Sequence, residues 1–232
     1  MVFAAGLGSR MRPVTNTIPK PLVQIGGKAL IDHMLDRFAK NGVEEAIVNV
    51  HYLPEMIVDH LKGRTQPKIH ISDERKLLLD QGGGIKRVLN LLGEDPFFLC
   101  NTDAFWVDES QSNLQRMANI WDPEKMDILM LLAPTARSIG VDWPGDFLMD
   151  PDGRLTRRGE KRVAPFVYSG VAITKPQLFA SETREVFPLG PYFNQAAEQG
   201  RLFGLRLDGL WLHVGTPEAI AEANAALEQT AK

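Results

Sequence analysis

Short apolar segments alternate with segments of helical periodicity through the first 133 residues, and this alternation constrains the fold more than any other feature. The first strand-like segment runs from Val2 to Ala5, and others begin at Glu45, Lys68, Pro96 and Asp127. Between them, apolar residues recur at the spacing of one helical face. Strands separated by helices pair in parallel, and a parallel sheet needs helices on both faces. The pattern predicts an α/β fold, a Rossmann-like three-layer sandwich around a mostly parallel, mixed central sheet.

After residue 133 the pattern changes to strands and turns. A hairpin is indicated by the turn at Asp150-Pro151-Asp152-Gly153, and "FVYSGVAIT", "LFGLRL" and "LWLHVG" follow as strands. Thr216-Pro217-Glu218 opens a last helix with a capping residue, a proline and an acid. Because no repeat, low-complexity tract or linker interrupts the chain, residues 1–232 are expected to form one domain. Its halves are expected at about 1–133 and, more β-rich, at about 134–232.

Charge and cysteine content exclude several classes of protein. The 232-residue chain has a net charge of -3 and one cysteine, Cys100. This charge gives no general attraction to nucleic acid or to an acidic membrane, so anion binding requires a local cluster of cations. A single cysteine excludes an internal disulfide and favours a reducing compartment. No segment approaches a membrane span and no signal peptide precedes the first strand, so we expect a cytoplasmic protein without nucleic-acid or membrane partners.

The loop after the first strand, Gly6 to Pro13, has the composition of an anion site. Gly6 and Gly8 let backbone N–H groups approach a ligand, and Arg12 offers forked donors that suit phosphate oxygens. Lys20 follows between two prolines that restrict the backbone on both sides. The loop lacks the third glycine of a dinucleotide fingerprint and the Gly-Lys-Ser/Thr of a Walker A motif. Its place at a strand's carboxyl end favours a phosphate site over a solvated basic loop.

Two later segments carry further candidates. Asp103 ends an apolar strand in "FFLCNTDAF", where a carboxylate can bind a hard cation in company with phosphate oxygens. A turn or helix-capping aspartate fits the residues equally well. The segment "DQGGGIKRVLNLLGED" indicates a glycine-rich turn followed by a helix, and its three glycines fit either a tight turn or close approach to a ligand.

Motifs along nearly the whole chain resemble one enzyme family. "AAGLGSRMRPVTNTIPKPL" has the form G-x-G-[ST]-R-[ML]-x-P followed by K-P, and "DQGGGI", "NTDAF", "GEK", "YSGVAI" and "WLHVGTPE" follow. Together they resemble the motifs of the sugar-1-phosphate nucleotidylyltransferases. The resemblance implies that a sugar-1-phosphate attacks the α-phosphorus of a nucleoside triphosphate in line and releases pyrophosphate. It also implies a nucleotide-binding half at about 1–133 and a sugar-binding half at about 134–232.

The resemblance implies a role for each residue that matches a position in the family's motifs. It implies that Arg12 holds the leaving pyrophosphate, that Lys20 neutralises the reacting phosphates, and that Asp103 binds the metal. The implied nucleotide contacts are Ala5, Gly6, Gly8, Ser9, Gln81, Gly82 and Asn101. The implied sugar-phosphate contacts are Lys161, Ser169 and Gly170. Thr102 replaces a usual glycine before the aspartate, and Arg162 replaces a usual proline after the lysine.

The main departure from the family pattern is His213. It stands where the family usually has its second metal-binding aspartate, in W-x-D-x-G-T. Imidazole suits manganese, cobalt or zinc better than magnesium. His213 is expected as a metal ligand, a donor to phosphate or a core histidine, and the residues leave these three open. The implied cofactor is Mg²⁺, with Mn²⁺ as the alternative that His213 favours.

The short length of the chain points to particular members of this family, and two other classes of protein stay open. In its short length and its "GGGI" segment, this chain resembles the bacterial N-acetylmuramate-1-phosphate uridylyltransferases of cell-wall recycling first. Mannose-1-phosphate guanylyltransferases of similar length are the second resemblance. UTP is therefore the expected nucleotide, with GTP as the alternative. The protein is expected to be a monomer or a homodimer. A glycosyltransferase of similar fold and a non-catalytic nucleotide-sugar sensor are the other classes. Arg12 and Lys20 disfavour the glycosyltransferase, because its donor diphosphate has no pyrophosphate to release.

Overall fold

The fold is described for residues 1–230 of the chain, from a computed structural model. The strands are β1 Val2–Phe3, β2 Gln24–Ile25, β3 Lys28–Ala29, β4 Glu45–Val50, β5 Lys68–Asp73, β6 Phe97–Asn101, β7 Ala104–Val107, β8 Ile128–Pro134, β9 Phe147–Met149, β10 Leu155–Arg157, β11 Phe166–Thr174, β12 Leu202–Arg206 and β13 Leu210–His213. The α-helices are α1 Leu30–Lys40, α2 Pro54–Leu61, α3 Asp80–Arg87, α4 Leu89–Leu92, α5 Asn113–Ile120, α6 Gly190–Glu198 and α7 Pro217–Thr230. Within this range no helix is both long and apolar enough to cross a membrane.

Nine strands form the central sheet. Its main path is β12-β8-β11-β6-β1-β4-β5, and β9 and β10 extend it beside the start of β11. In the described part of the chain, β10 and β11 run against the other strands of this sheet. The predicted α/β fold with a mostly parallel, mixed sheet is therefore confirmed. The antiparallel β11, from the second half of the sequence, lies between β6 and β8 and joins the two halves in one sheet.

Alternate side chains of the strands enter two different hydrophobic cores. On β8, Leu129 and Leu131 pack into one core, whereas Met130 and Leu132 pack into the other. The first core also takes apolar residues of α1, α2, α5 and α7, and the second takes residues of α3 and α6. This alternation follows from the two-residue period of a strand. Cys100 is fully buried in the first core, and burial raises the pKa of its thiol to about 12.

The strand order creates a switch point beside β1. From β1 the chain continues outward to β4 and β5, and it then returns to the other side of β1 as β6. The connections therefore leave in opposite directions and open a crevice at the carboxyl ends of these strands, where ligands of open α/β sheets bind. A separate antiparallel ribbon of β7 and β13 pairs Ala104 with His213 and brings the end of β13 to the same edge.

Two boundaries differ from those predicted by the sequence. The apolar segment Val2–Ala5 was predicted as a strand, but β1 ends at Phe3 because the Ala4 N–H donates to the Asn49 side chain rather than to a strand. The glycines 82–84 were predicted as a turn before a helix, and the structure places all three inside α3. They are buried, and α3 packs closely on the segment that contains Phe187.

Replacing Gly82 with alanine is expected to destabilise the fold although alanine favours helix formation. A Cβ at this position would overlap the ring and the carbonyl oxygen of Phe187. Overpacking of this kind costs about 1–3 kcal/mol, more than the gain of about 1 kcal/mol from helix propensity. Urea denaturation measures the change. Gly63→Ala, at an exposed glycine with no neighbouring atom within 4 Å of the added Cβ and no positive φ, is the control and should keep its stability.

Candidate active site

A cavity of about 520 Å³ lies at the carboxyl ends of β1, β4, β5 and β6. Its walls come from the segments that follow these strands and from the start of α3. The lining residues are Phe3, Ala4, Ala5, Gly6, Gly8, Lys20, Pro21, Asn49, Glu74, Leu78, Asp80, Gln81, Asn101, Thr102, Asp103 and Val186. The structure therefore brings Ala5, Gly6, Gly8 and Lys20 together with Gln81, Asn101 and Asp103.

The loop after β1 is held in shape by its own hydrogen bonds. Gly8 has a φ of +62°, a conformation that glycine adopts without strain. Its carbonyl oxygen accepts hydrogen bonds from the Thr15 hydroxyl at 2.8 Å and from the Met11 N–H at 2.9 Å. The Tyr52 hydroxyl donates to the Thr15 carbonyl at 2.8 Å. These contacts set the backbone of the loop before any ligand arrives.

Lys20 and Asp103 form an ion pair at the cavity wall. Lys20 begins a single turn, Lys20–Leu22, and its Nζ lies 3.2 Å from Asp103 Oδ2. Partial burial would raise the pKa of the Asp103 carboxyl, but the neighbouring His213 and the charge of Lys20 outweigh it and hold that pKa well below its usual range. Asp103 is therefore ionised at neutral pH, and its charge is balanced by Lys20.

His213 faces the same carboxylate from the other side. Its Nε2 lies 3.8 Å from Asp103 Oδ2, too far for a direct hydrogen bond. Its Nδ1 is 3.2 Å from the carbonyl oxygen of Gly140, an acceptor, so Nδ1 carries a proton and Nε2 faces Asp103. The ring stacks on Trp211 and meets the edge of Trp143. His213 is therefore oriented toward the carboxylate, as a ligand or donor would be.

A backbone contact secures this arrangement. The Val214 N–H donates to the carbonyl oxygen of Asp103 at 2.8 Å, directly after His213. The strand that carries the histidine is thus tied to the residue that carries the carboxylate. His213 itself is absent from the lining of the 520 Å³ cavity and lies beyond Asp103, toward the second half of the chain.

Of the two residues in "DQGGGI" that are predicted to contact the nucleotide, one lines the cavity and the other is packed behind it. Gln81 lines the cavity, and its Nε2 donates to Asn101 Oδ1 at 2.8 Å. Gly82 lies behind it, where its N–H donates to the carbonyl oxygen of Phe187 at 3.0 Å. Close packing against Phe187 is by itself a sufficient reason for a glycine at this position. Contact of Gly82 with a nucleotide stays a prediction.

Three predicted residues are exposed and do not line the cavity wall. Ser9 and Arg12 lie in the loop after β1, and Lys161 lies in the loop between β10 and β11 with a φ of +59°. Their roles in holding phosphates stay predictions, and each requires a ligand that extends out of the cavity.

Ser169 and Gly170 lie on β11 beside Asn101. A Cβ at Gly170, which has a φ of +90°, would lie 3.0 Å from Asn101 Cβ. The Ser169 carbonyl oxygen accepts a hydrogen bond from Trp211 Nε1 at 3.1 Å, and its hydroxyl is buried without a partner among residues 1–230. The structure thus brings both residues close to the end of β6, and their contact with a sugar phosphate stays a prediction.

Sequence reasoning missed nine lining residues. Four of them, Phe3, Ala4, Pro21 and Thr102, lie close in sequence to predicted ones, and the other five are Asn49, Glu74, Leu78, Asp80 and Val186. For two of them a signal was present. Asn49 is the one amide in the apolar strand "EAIVNV", and Glu74 directly follows β5. Both positions are at carboxyl ends of parallel strands, the edge that had already been predicted to hold the site. Val186 gave no such signal, because it comes from a distant segment between β11 and α6.

The donors around Asp103 fit a metal ion that arrives with a polyphosphate. In the described part of the chain, no group of three or more His, Cys, Asp or Glu side chains could hold a metal. Asp103 and His213 are thus two donors at most. Magnesium is often bound by one or two carboxylates together with substrate phosphates and water, so a sparse set of protein donors is adequate.

The chain is similar in sequence to known proteins over nearly its whole length. The model of the nucleotidyl transferase family matches residues 1–138. N-acetylmuramate alpha-1-phosphate uridylyltransferase of Caulobacter vibrioides is 46% identical over 99% of this chain and 96% of that protein. The Neisseria meningitidis protein of the same name is 33% identical over 97% of this chain and 96% of its own length.

The fold itself has solved counterparts. HddC from Yersinia pseudotuberculosis, complexed with GMP-PN, superposes with a TM-score of 0.76 at 20% identity and covers 97% of both chains. At this identity the likeness concerns the fold alone. The family match and the two relatives of similar length show that the chain belongs to the nucleotidyl transferase family.

Proposed function

We propose that this nucleotidyltransferase joins UTP to N-acetylmuramate 1-phosphate and releases pyrophosphate. The choice of this sugar and this base rests on the 46% identity, over nearly the whole chain, to the Caulobacter uridylyltransferase. The cavity at the switch point supports a nucleotide substrate, because it combines a glycine loop, a lysine and a carboxylate at one sheet edge.

The proposed reaction is a direct displacement at phosphorus. A phosphate oxygen of the sugar-1-phosphate forms a bond to the α-phosphorus of UTP, the bond from that phosphorus to the β-phosphate oxygen breaks, and pyrophosphate leaves with the electron pair. Such a reaction asks the protein for positioning and charge neutralisation more than for proton transfer. Lys20 Nζ has three donors, so it can keep its contact with Asp103 and also donate to a phosphate oxygen.

Asp103 would hold a divalent metal ion, and His213 Nε2 is oriented to be a second ligand. When bound, the ion would neutralise charge on the phosphate oxygens. We propose Mg²⁺ as the usual ion and Mn²⁺ as the ion that an imidazole ligand favours. The hydrogen bond from Nδ1 to the Gly140 carbonyl supports ligation, since metal-binding histidines commonly donate their second ring N–H in this way.

His213→Asp is expected to raise the ratio of Mg²⁺-supported to Mn²⁺-supported turnover by about tenfold, the scale of other changes around metal centres. The aspartate supplies an oxygen ligand that magnesium prefers to nitrogen. Steady-state rates with each ion measure the ratio, and His60→Asp, at an exposed histidine outside the site, is the control. An unchanged ratio would remove His213 from the metal site.

We also infer that residues 1–232 work as one domain. Its nucleotide-binding half is at about 1–133, and its sugar-binding half is at about 134–232. The insertion of β11 between β6 and β8 supports this inference, because it makes the sheet continuous across the two halves. The residues predicted to contact sugar phosphate, Lys161, Ser169 and Gly170, belong to the second half.

A matrix of substrates tests the proposed function. UTP and GTP are each combined with N-acetylmuramate 1-phosphate and mannose 1-phosphate, and released pyrophosphate is measured with Mg²⁺ and with Mn²⁺. The proposal expects the fastest release from UTP with N-acetylmuramate 1-phosphate. Faster release from GTP with mannose 1-phosphate would replace it by guanylyl transfer. Absence of pyrophosphate from every pair, with sugar transfer from a nucleotide sugar, would indicate a glycosyltransferase instead.

A further inference from the structure

We propose that the buried pair Glu74 and Asn49 is a positioning unit that sets the spacing between the two walls of the nucleotide cavity. One wall is the loop after β1, and the other is the segment that leads into α3. The pair thereby determines affinity for the nucleoside triphosphate while leaving the sugar half unaffected. The inference rests on the proposed function in taking this cavity as the nucleotide site.

The first wall is held by Asn49. This side chain lies at the end of β4 and is 3% exposed. Its Oδ1 accepts a hydrogen bond at 2.8 Å from the N–H of Ala4, the first residue after β1. The bond ends the strand and directs the chain toward Gly6. Without it, a buried backbone N–H would lack a partner, which is costly.

The second wall is held by Glu74. This residue follows β5 and is 1% exposed. Its Oε1 accepts from Asn49 Nδ2 at 2.8 Å, and its Oε2 accepts from the Leu79 N–H at 3.2 Å. Leu79 immediately precedes Asp80 and Gln81, which line the cavity. Three consecutive hydrogen bonds therefore connect the start of the glycine loop to the start of α3.

Helix α3 closes over this pair at Gly84. A Cβ there would lie 2.9 Å from Glu74 Oε1 and 3.2 Å from Asn49 Nδ2. Glycine at this position lets the helix backbone approach the carboxylate and the amide directly. The third glycine of "GGG" thus has its own neighbour, distinct from the Phe187 contact of Gly82.

Both carboxylate oxygens of Glu74 face protein donors. Glu74 borders the cavity, but both of its oxygens are engaged by these donors, so the side chain acts through Asn49 and Leu79, as a positioning residue, rather than as a hydrogen-bonding partner of the ligand. Burial raises the pKa of Glu74, in keeping with a carboxylate whose interactions are with the protein rather than with water. A glutamine at this position would present an NH₂ group to one of two N–H donors, and one of the hydrogen bonds would be lost.

The test compares Glu74→Gln with an exchange of the two groups. Glu74→Gln is expected to raise the KM and the Kd for UTP by about tenfold, the cost of one hydrogen bond to a charged acceptor. The KM for the sugar-1-phosphate should stay within about twofold. In Glu74→Gln/Asn49→Asp the amide and carboxylate change places, so every hydrogen bond of the chain can re-form. We expect this double variant to recover most of the UTP affinity.

Two further variants complete the design. Glu45→Gln makes the same substitution at an exposed glutamate at the opposite end of β4 and should leave all constants unchanged. Gly84→Ala places a Cβ against the buried pair and displaces it, so it should weaken UTP binding, with a loss of stability of the size expected for Gly82→Ala. It replaces Glu74→Gln as the test if that variant does not fold.

The outcomes separate this inference from the proposed function. A wild-type protein that releases no pyrophosphate from any substrate pair overturns the proposed function, whereas UTP binding measured by calorimetry still tests the positioning unit. Equal rises in the KM values of both substrates would overturn the inference. So would normal UTP affinity in Glu74→Gln, or a double variant no better than the single one.

Discussion

Lys20→Ala is expected to lower kcat by about a hundredfold or more, as loss of one preorganised donor does in other enzymes. Lys20 is the cation that lies at the cavity wall, 3.2 Å from Asp103 Oδ2, in a turn whose backbone is restricted by Pro19 and Pro21. In the proposed reaction, negative charge shifts toward the leaving pyrophosphate. A fixed ammonium group stabilises that charge more in the transition state than in the ground state.

Steady-state kinetics with UTP and N-acetylmuramate 1-phosphate measure this effect. Lys28→Ala is the matched control, because Lys28 pairs with Asp36 at an exposed site at 2.7 Å, and exposed ion pairs contribute little. It should leave kcat unchanged. A Lys20→Ala protein that folds and keeps more than about half of the wild-type kcat would show that Lys20 has no part in the chemistry.

Asp103→Asn is expected to lower kcat by on the order of a hundredfold and to weaken metal binding. The amide has the size of the carboxylate but lacks its charge, so an ion held there would lose its main protein ligand. The substitution also leaves Lys20 without its partner, at 3.2 Å in the wild-type protein. Loss of turnover is therefore expected to accompany a measurable loss of Mn²⁺ binding, followed by electron paramagnetic resonance in the presence of UTP.

The control for this substitution is Asp95→Asn. Asp95 is exposed just before β6, whereas Asp103 lies just beyond the carboxyl end of the same strand. The control should keep normal turnover and metal binding. Removal of metal by a chelator should inactivate the wild-type protein and have little further effect on Asp103→Asn. Undiminished Mn²⁺ binding and turnover in Asp103→Asn would refute the assignment of Asp103 as the metal ligand.

Some features of the site were predictable because they depend on local patterns. Gly6 and Lys20 follow the first strand and Asp103 follows another, and parallel strands bring their carboxyl ends to one edge. The sequence predicted a phosphate site in the first loop and a candidate cation ligand at Asp103, and the structure places these residues around one cavity. The glycines of "GGG" were harder, because their neighbours are Phe187, Glu185 and Glu74, which no local pattern connects to them.

The orientation of His213 is another feature that local sequence patterns did not predict. The motif "WLHVG" located it near the end of a strand but left three roles open. Its Nδ1 contact with Gly140 and its stacking on Trp211 orient Nε2 toward Asp103, and these contacts depend on how the ribbon of β7 and β13 lies against the sheet.

By itself, the sequence determined the alternation of strands and helices, the mixed α/β fold and the edge of the sheet where ligands bind. These follow from side-chain periodicity and from glycine and proline positions, which act over a few residues. Tertiary structure alone decided that Glu74 and Asn49 join two walls of the cavity. It also decided that each of the three glycines of α3 lies in close contact with a residue outside the helix. Such contacts join residues far apart in the chain, and their geometry exists only after the sheet and its helices have packed.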